Sequence, residues 1–596
     1  MDEGSLSRHS STSDGGSLLP DIKKGIDMKK WISCLLLMAT GMVPAWSASR
    51  PNIVIVMVDD SGFTDVGCYG GEIDTPNIDS LAKGGMRFRQ FYNNGRCSPT
   101  RASLMTGRDS GDVGFAAGTL GGHAVYTPRE EAGYTGTLPY TVPTIAELMK
   151  AAKYKTLMVG KWHLGGSDIR EKKPAEIKAW KRKFSQWTFT DADAEMEFNA
   201  LPPQRGFDEF FGLIQGETDF FYTENQKQQY REGNDVVPKL PMTGTYTMHC
   251  APKGKKVPVN HGKTAPAFYA TDGITTRAIE MINEVNAKGD EPYFLYVAHR
   301  APHAPIQAPQ ALVDKYMARY VDVPQVIENR YNGSIQKGII AEGTKYKPGF
   351  SREKPPTAKE LTDIQRRLAV HAAMVEKVDE NVGRLVQALK ATGEFDNTLI
   401  FYFSDNGANP GVIGKTFNTP LSGFKALMYE GGVKTHAVAS WPNGIKADTI
   451  SDSVVWVGDL LPTCIELAGE SYPTEFRGTK TEPLDGRSIV SALEGKTMSP
   501  PEYLYSNDHG QQGVTFKGRW KLLIEPGWFV HTSRKPGINY ELYDLENDPG
   551  ETENLAAQKP EMVQQLSVKA EQWKESCGII EESIIQENTK KNTKKK

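Results

Sequence analysis

The sequence predicts an α/β protein with a large, mostly parallel β-sheet sandwiched by helices and a small C-terminal α+β subdomain carrying an antiparallel sheet. Short apolar runs rich in β-branched residues, typical of strands buried on both faces, recur along the chain. Helical patterns lie between these runs, which favours parallel strand pairing. Beyond about Pro500 this alternation gives way to short strand-like runs close together, which indicates the separate antiparallel sheet.

The individual elements follow in chain order. The strand-like runs are residues 53–58, 156–159, 293–297 and 399–403, and the helical patterns before the last three are 144–152 (opened by Pro143), 278–285 and 360–389. Residues 168–280 and 305–357 are polar and rich in Gly, Pro and aromatic residues, as in long excursions that carry specificity elements. In the C-terminal subdomain we expect a strand over 514–524, a second over 540–545, a turn at 547–550 and a helix over 560–573.

The two ends of the chain carry different signals. Met28-Lys29-Lys30, an apolar stretch over 31–43 and the small residues Ala45 and Ser47 form the pattern of a secretory signal. The apolar stretch is shorter than an ordinary membrane span of about 20 residues, so a membrane anchor is the weaker alternative. The predicted divisions are a disordered leader (1–27), a signal peptide (28–48), the main domain (49–499), the C-terminal subdomain (500–580) and a basic disordered tail (581–596). We therefore expect a protein that is exported, periplasmic or secreted, without a membrane span.

Composition excludes other classes of function. The 596 residues include 70 Lys plus Arg and 73 Asp plus Glu, for a net charge of -3. Such a chain has no overall basic field, so we expect no nucleic-acid partner. Six cysteines are too few for a disulfide scaffold, and although one disulfide is possible in an exported protein, its connectivity is not specified.

Polar residues follow each buried run of the predicted sheet. They are Asp59 and Asp60, then Lys161 and His163, then His299 and His303, and finally Asp405 and Asn406. In open α/β sheets ligands bind outside the carboxyl ends of the strands, so these groups are expected to meet at one edge. Each could have a structural role alone, but four coinciding strand ends favour a functional site.

A metal site is predicted within this group. Asp59, Asp60, Asp405 and Asn406 offer only oxygen ligands, without the Cys or His cluster that zinc prefers. Oxygen ligands from two separate strands suit Ca²⁺, with Mg²⁺ as the alternative.

Cys97 lies in a second informative segment, Cys97-Ser98-Pro99-Thr100-Arg101. Ser98 as N-cap, Pro99 as the first helical residue and Gly107 as the stop predict a short helix directly after Cys97. Free N–H groups of the first turn, the helix dipole and Arg101 one turn on would form an anion pocket there. A buried structural cysteine and a thiolate nucleophile are the alternatives.

Residues 97–108 resemble the signature of the type I sulfatases, in which the cysteine of Cys-x-Pro-x-Arg is converted to Cα-formylglycine. The resemblance spans about residues 50–550 and includes 52–62, 75–79, 160–165, 302–305, 404–407, Lys425 with 430–432, and 542–545. It implies an alkaline-phosphatase-like fold, a catalytic domain over 49–499 and an arylsulfatase-type sulfuric ester hydrolase. The chain departs from many relatives at 433–436, where Val-Lys-Thr-His follows Glu-Gly-Gly.

The resemblance also implies roles for the collected residues. The formylglycine formed from Cys97 by a formylglycine-generating or maturase enzyme hydrates to a gem-diol, which binds the metal beside Asp59, Asp60, Asp405 and Asn406. The gem-diol attacks sulfur and expels the alcohol or phenol. The covalent sulfo-enzyme then eliminates sulfate and restores the aldehyde when its second hydroxyl is deprotonated. His303, with Lys425 beside the sulfate, protonates the leaving oxygen, and both residues also bind the substrate. His163 is the base, and Lys161, Arg101 and the cation hold the sulfate oxygens. The substrate is a sulfate ester, either a small aryl sulfate or a sulfated carbohydrate.

Two other functions stay open from the sequence. A phosphodiesterase or phosphonate monoester hydrolase of the same fold could bind a tetrahedral phosphoryl anion in the same pocket. A non-catalytic protein that binds sulfated glycans would result if Cys97 were never converted. The presence of acid, base and metal groups together favours the enzyme.

Overall fold

The computed structural model describes residues 50–579 except 121–122, 125–131, 167–194, 196–197, 215–218, 223–229, 238–239, 252–262, 290, 348–356, 411–417, 509 and 527–538. The predicted leader, signal peptide and basic tail lie outside the described residues. The described residues all belong to one compact unit.

Eleven of the described strands form one large sheet. In spatial order they are Lys434–Thr435, Met86–Tyr92, Ala437–Ser440, Thr398–Ser404, Asn52–Val58, Tyr293–Ala298, Lys155–Lys161, Glu209–Leu213, Arg231–Glu232 and Asp235–Val236, with Thr449–Trp456 also paired to Met86–Tyr92. The five central strands, from Thr398–Ser404 to Glu209–Leu213, pair in parallel. The strands directly beside them, Ala437–Ser440 and Arg231–Glu232, pair antiparallel, and Thr449–Trp456 pairs in parallel with Met86–Tyr92. The mostly parallel sheet is confirmed, and its central strands are apolar because both faces are covered.

Helices cover the sheet as predicted. The described α-helices are Pro76–Lys83, Cys97–Thr106, Ile145–Ala151, Ala270–Asn286, Gln310–Arg319, Val323–Gln336, Ala358–Ala391, Glu430–Val433, Leu460–Leu467, Val490–Leu493 and Pro560–Ser576. The longest, Ala358–Ala391, begins at a capping box between Thr357 and Glu360. It packs against Ala270–Asn286 and Gln310–Arg319, and buries one continuous apolar face in the main core.

The described parts of the two excursions meet in a second, antiparallel sheet. Its strands are Gln307–Pro309, Gly244–Cys250, Thr264–Tyr269 and Phe221–Tyr222, in that spatial order. The sheet joins residues from the 168–280 excursion to the start of the 305–357 excursion. Two hairpins of short strands lie elsewhere, at Thr119–Leu120 with His123–Ala124 and at Glu475–Phe476 with Thr479–Lys480.

The C-terminal subdomain contains a four-stranded antiparallel sheet of Tyr503–Asp508, Gln511–Phe516, Trp520–Ile524 and Tyr540–Asp544. The single strand expected over 514–524 is wrong, because Lys517 (φ 50°) and Gly518 (φ 68°) turn the chain back on itself there. The helix Pro560–Ser576 buries Leu566 against Leu542 in a small apolar core. The domain boundary at 499/500 stays a prediction.

Candidate functional site

The predicted polar residues gather at the carboxyl edge of the central strands. Asp59 and Asp60 directly follow Asn52–Val58, and Asp405 with Asn406 follows the neighbouring Thr398–Ser404. Parallel pairing brings these two strand ends side by side, and the Asp405 backbone N–H donates to the Val58 carbonyl at 3.0 Å. The expectation that these strand ends meet is therefore correct.

The carboxylates and the amide form a buried oxygen cluster. The Asn406 side-chain N–H donates to Asp60 Oδ1 at 2.8 Å, and the Asp60 backbone N–H reaches Asp405 Oδ1 at 3.3 Å. Oxygens of Asp59 and Asp60 and a ring nitrogen of His303 all lie within 4.8 Å of one another. Among the described residues, Asp59 Oδ1 and Asn406 Oδ1 are buried without a hydrogen-bond partner. Orphaned, buried oxygens in a hard-donor set fit a divalent cation.

Three cationic side chains form ion pairs with the carboxylates of this cluster. Lys161 Nζ lies 2.5 Å from Asp59 Oδ2, and Lys425 Nζ forms an ion pair with Asp60. Arg101 donates to Asp405 Oδ2 at 2.9 Å and lies 3.4 Å from Asp59 Oδ2. The same carboxylate cluster is thus contacted by Lys161, Arg101 and Lys425, which were predicted to act together.

Burial and charge pairing oppose each other in setting the carboxylate pKa values. Burial raises the pKa of Asp59, but Lys161 and the other nearby cations outweigh it and hold the pKa well below its ordinary value. The pKa of Asp60 is lowered in the same way, chiefly by Lys425. Burial and the Asp59 carboxylate raise the pKa of Asp405, a direction that a bound divalent cation would reverse.

Cys97 is buried at the start of the helix that faces this cluster. The helix begins at Cys97 with Arg96 as N-cap, so the expectation that Ser98 is the N-cap is wrong. Pro99 is the third helical residue and not the first as predicted; it still fits because amides of the first turn have no intrahelical acceptor, so its missing N–H breaks no helical bond. Gly107 ends the helix with φ 64°, as predicted. Arg101, on the same helix, reaches the oxygen cluster through Asp405 and Asp59.

The two predicted catalytic histidines are buried beside the cluster. His303 Nδ1 lies 2.6 Å from the Ala304 carbonyl, which can only accept, so Nδ1 carries the hydrogen and Nε2 faces Asp60 Oδ2 at 3.8 Å. Burial and Lys425 lower the pKa of His303 to about 3. Burial and Lys161 hold the pKa of His163 well below its ordinary value. Both rings are therefore neutral in the site as it stands.

His299 lies apart from these groups, since its Nε2 is 3.4 Å from Thr275 Oγ1. Two neighbours of the site were not predicted. The Asn409 side-chain N–H donates to Asp60 Oδ2 at 3.1 Å, and the available signal was its place in the same polar loop as Asn406. The Tyr296 hydroxyl is 3.3 Å from Arg101 Nη1. Nothing in an apolar strand marked that tyrosine as a neighbour of the site.

This architecture is an alkaline-phosphatase-like α/β fold with a buried cluster of carboxylates and cations at the carboxyl edge of its sheet. A solved structure described as Ps i-CgsB in complex with k-i-k-neocarrahexaose superposes with a TM-score of 0.61 at 23% identity, covering 90% of this chain and 94% of that chain. At that identity the likeness supports the fold alone.

Family comparisons are more specific. The family model described as Sulfatase matches residues 51–470, and the model described as N-sulphoglucosamine sulphohydrolase, C-terminal, matches residues 424–576. An uncharacterized sulfatase of Schizosaccharomyces pombe is 30% identical over 87% of this chain and 92% of its own length. An arylsulfatase of Klebsiella aerogenes is 27% identical over 80% of this chain and 98% of its own.

The chain belongs to the sulfatase family and is a sulfuric ester hydrolase, which confirms the family and the reaction class expected from the sequence. None of the described helices combines the length and the apolar character needed to cross a membrane.

Proposed function

We propose that this sulfatase hydrolyses an aryl sulfate or a sulfated carbohydrate using a Cα-formylglycine derived from Cys97. The observation that carries the proposal is the position of Cys97, buried at the first turn of a helix. Arg101, one turn further along the same helix, pairs with Asp405 and Asp59, so a group formed at Cys97 would lie at the end of the helix that meets the oxygen cluster. When hydrated, the aldehyde supplies an oxygen nucleophile and a second hydroxyl whose deprotonation releases sulfate.

Asp59, Asp60, Asp405 and Asn406 are the residues proposed to hold Ca²⁺, with Mg²⁺ as the alternative. Their oxygens are buried, and two of them have no hydrogen-bond partner among the described residues. A divalent cation held by these residues would supply Lewis-acid chemistry, making a neighbouring hydroxyl more acidic and polarising the sulfate group. Its charge would also weaken the hold of the carboxylates on Lys161 and Lys425, which frees these ammonium groups for an anionic substrate.

The cationic side chains are proposed to bind the sulfate group. Lys161, Lys425 and Arg101 approach from one side, and in a water-excluded site their charge stabilises the negative charge that develops in the transition state. Arg101 is anchored further by donating to the Lys161 carbonyl at 2.8 Å, which fixes its orientation before substrate binds.

His303 is proposed to protonate the leaving oxygen and His163 to act as base. The low pKa of His303 has two causes, burial and Lys425. A bound sulfate anion would offset the Lys425 charge and raise the pKa of His303, so the ring would gain its proton when substrate arrives. His163 is already neutral at physiological pH, as a base must be.

Two measurements test the proposal. Peptide mass spectrometry across Cys97, after expression with and without a formylglycine-generating or maturase enzyme, should detect the aldehyde in the active preparation. Recovery of thiol alone from an active enzyme would refute the formylglycine mechanism. An inactive thiol form that still binds sulfated glycans would instead indicate the binding-protein alternative.

Parallel assays on an aryl sulfate and an aryl phosphodiester separate the reaction classes. We expect the sulfate ester to be hydrolysed with the higher kcat/KM, and Cys97→Ala to lose both activities. A large preference for the phosphodiester would contradict the proposal. Export is a further part of it, based on the signal-like residues 28–48, and the N-terminal sequence of the mature protein tests it.

A further inference from the structure

The loop after Asn52–Val58 holds Asp60, next to Asp59, in a backbone conformation that few residues other than glycine adopt. Asp60 has φ 71°, in the left-handed region that residues other than glycine rarely adopt. Such a conformation costs free energy and persists only when surrounding contacts determine it. The contacts that hold this loop therefore decide where the Asp60 carboxylate lies.

Asp65, at the far end of the loop, receives four donors. Its Oδ2 accepts from the Gly62 N–H at 2.6 Å, from Ser61 Oγ at 3.3 Å and from His371 Nε2 at 2.8 Å. Its Oδ1 accepts from Arg330 NH1 at 2.6 Å. Asp65 is fully buried, as are the two side chains that reach it from outside the loop. One carboxylate thus ties residues 61–62 to two separate helices.

Both helices hold their donors rigidly. Arg330, on Val323–Gln336, also donates from Nε and NH2 to Glu72 at 2.6 and 2.9 Å, so its fork bridges two carboxylates. His371 lies on the long helix Ala358–Ala391. Burial raises the pKa of Asp65, but His371 and Arg330 outweigh it and hold the pKa well below its ordinary value. Asp65 is therefore ionised and accepts from all four donors.

A second contact fixes the middle of the loop from the sheet side. His436 Nδ1 lies 3.0 Å from the Gly62 carbonyl. Gly62 is thus held through its N–H by Asp65 and through its carbonyl by His436. The short segment between Asp60 and Gly62 has little freedom left to relax toward an ordinary backbone conformation.

We propose that Asp65, together with Arg330 and His371, is the positioning group that sets the Asp59 and Asp60 carboxylates for cation binding. This inference rests on the metal site of the proposed function. None of the three residues is proposed to contact the substrate or the cation. Their effect is transmitted through Ser61 and Gly62.

The test is Asp65→Asn in the full-length enzyme. Both Asp65 oxygens only accept, so whichever way the amide is turned, its NH₂ must face a donor and one set of hydrogen bonds is lost. We expect the Ca²⁺ Kd of the metal-stripped enzyme, measured by titration calorimetry, to rise by about 10- to 100-fold, as is typical of residues that orient metal ligands.

Asp379→Asn is the matched control. Asp379 is also buried, lies on the same helix as His371, and accepts backbone N–H groups from Asn77 and Ile78 at 2.8–3.3 Å. Its described bonds hold the helix Pro76–Lys83 instead of the Asp60 loop. This variant should lose stability yet keep the wild-type Ca²⁺ Kd.

A second pair of variants keeps the test informative if Asp65→Asn does not fold. His371→Leu removes one donor to Asp65, and His371→Gln restores an N–H near the same place. We expect weaker Ca²⁺ binding in the first and recovery in the second. The inference is overturned if His371→Leu, like Asp379→Asn, loses stability without a change in Ca²⁺ Kd.

Failure of the underlying proposal gives a different result. If the wild-type enzyme itself binds neither Ca²⁺ nor Mg²⁺ in the calorimeter, the metal site is wrong and this inference falls with it. If the wild type binds and the Asp65 and His371 variants bind equally well, only the positioning role is wrong.

Discussion

Glu551 provides a sharp test of the electrostatics that join the C-terminal subdomain to the rest of the molecule. It is fully buried, and its Oε2 accepts the backbone N–H of Glu430 at 2.8 Å. Lys521, from the C-terminal sheet, lies 3.0 Å from Glu551 and 2.8 Å from Glu430. Glu430 has further support from the Tyr92 hydroxyl at 2.9 Å and from Lys434 at 3.5 Å. One lysine is thus shared by two carboxylates, of which Glu551 has the poorer compensation.

The expected consequence is a proton held on Glu551 up to neutral pH. Burial raises the pKa of Glu551 from 4.5 to about 7, with Lys521 opposing and Glu430 adding to the rise. Because the folded state binds this proton more tightly than the unfolded chain does, the associated stability is fully present below pH 4.5. It is lost as the pH rises through about 7. The two pKa values correspond to about 3 kcal/mol in the free energy of unfolding.

Glu551→Gln should remove this pH dependence, since an amide resembles the protonated carboxyl and stays neutral. The free energy of unfolding of the variant minus that of the wild type should therefore increase by about 3 kcal/mol between pH 4.5 and pH 8. Urea unfolding followed by tryptophan fluorescence at several pH values measures this difference. Taking a difference cancels the titration of groups common to both proteins.

Glu553→Gln is the control, because it removes an exposed carboxylate two residues away. It should follow the wild type at every pH. A constant stability difference between Glu551→Gln and the wild type across the range would show that Glu551 is ionised throughout. The account of a lysine shared by two buried carboxylates would then be incorrect.

Three further predictions concern the site and the subdomain. Removing divalent cations with a chelator should abolish sulfatase activity and lower the melting temperature, and added Ca²⁺ should restore both; full activity in excess chelator would contradict the metal site. Gly407→Ala should weaken Ca²⁺ binding at least 10-fold, because a Cβ there would lie 1.8 Å from the Gly431 carbonyl oxygen and displace the adjoining Asn406; an unchanged Ca²⁺ Kd would contradict it. Leu542→Ala should lower the free energy of unfolding by about 2–5 kcal/mol, because it leaves a cavity in the small C-terminal core. With a domain boundary at 499/500, limited proteolysis of this variant should cleave residues 500–580 first. Uniform cleavage along the chain would contradict that boundary.

The sheet and the meeting of its strand ends could be predicted because both depend on local patterns. A fully buried parallel strand is apolar along its whole length, so the change from Val58 to Asp59 marks both the end of a strand and the edge of the sheet. The same change occurs between Phe403 and Asp405. Predicting the site did not require knowing which strands are neighbours, because the carboxyl ends of all parallel strands lie at one edge of the sheet.

The C-terminal hairpin was missed for a different reason. Residues 514–524 contain enough strand-forming side chains for one long strand, and the turn is made by Lys517 and Gly518 alone. The lysine adopts a positive φ that its residue type does not favour, so only the glycine signalled the turn. With only one of the two turn residues recognisable, the two strands were predicted as a single strand.

The buried contacts of Asp65 could not be predicted from the sequence at all. Asp65 meets Arg330 and His371 across separations of 265 and 306 residues, and neither partner belongs to a recognisable motif. Each of these residues alone resembles an ordinary polar residue of a helix or loop. Long-range pairing of this kind is decided by how the helices pack on the sheet, which periodicity does not specify.

The charge cluster at the sheet edge is better explained by binding than by stability. Burying a charged side chain such as Asp59, Lys161 or Arg101 costs several kcal/mol in lost hydration. The attraction within a buried ion pair generally offsets this cost less well than apolar packing would stabilise the same volume. The orphaned oxygens of Asp59 and Asn406 add about 1–3 kcal/mol each. A divalent cation would satisfy those oxygens, and a sulfate would in turn satisfy the lysines that the cation displaces. The proposed cation and sulfate would together compensate the buried charges that pairing within the protein leaves poorly compensated.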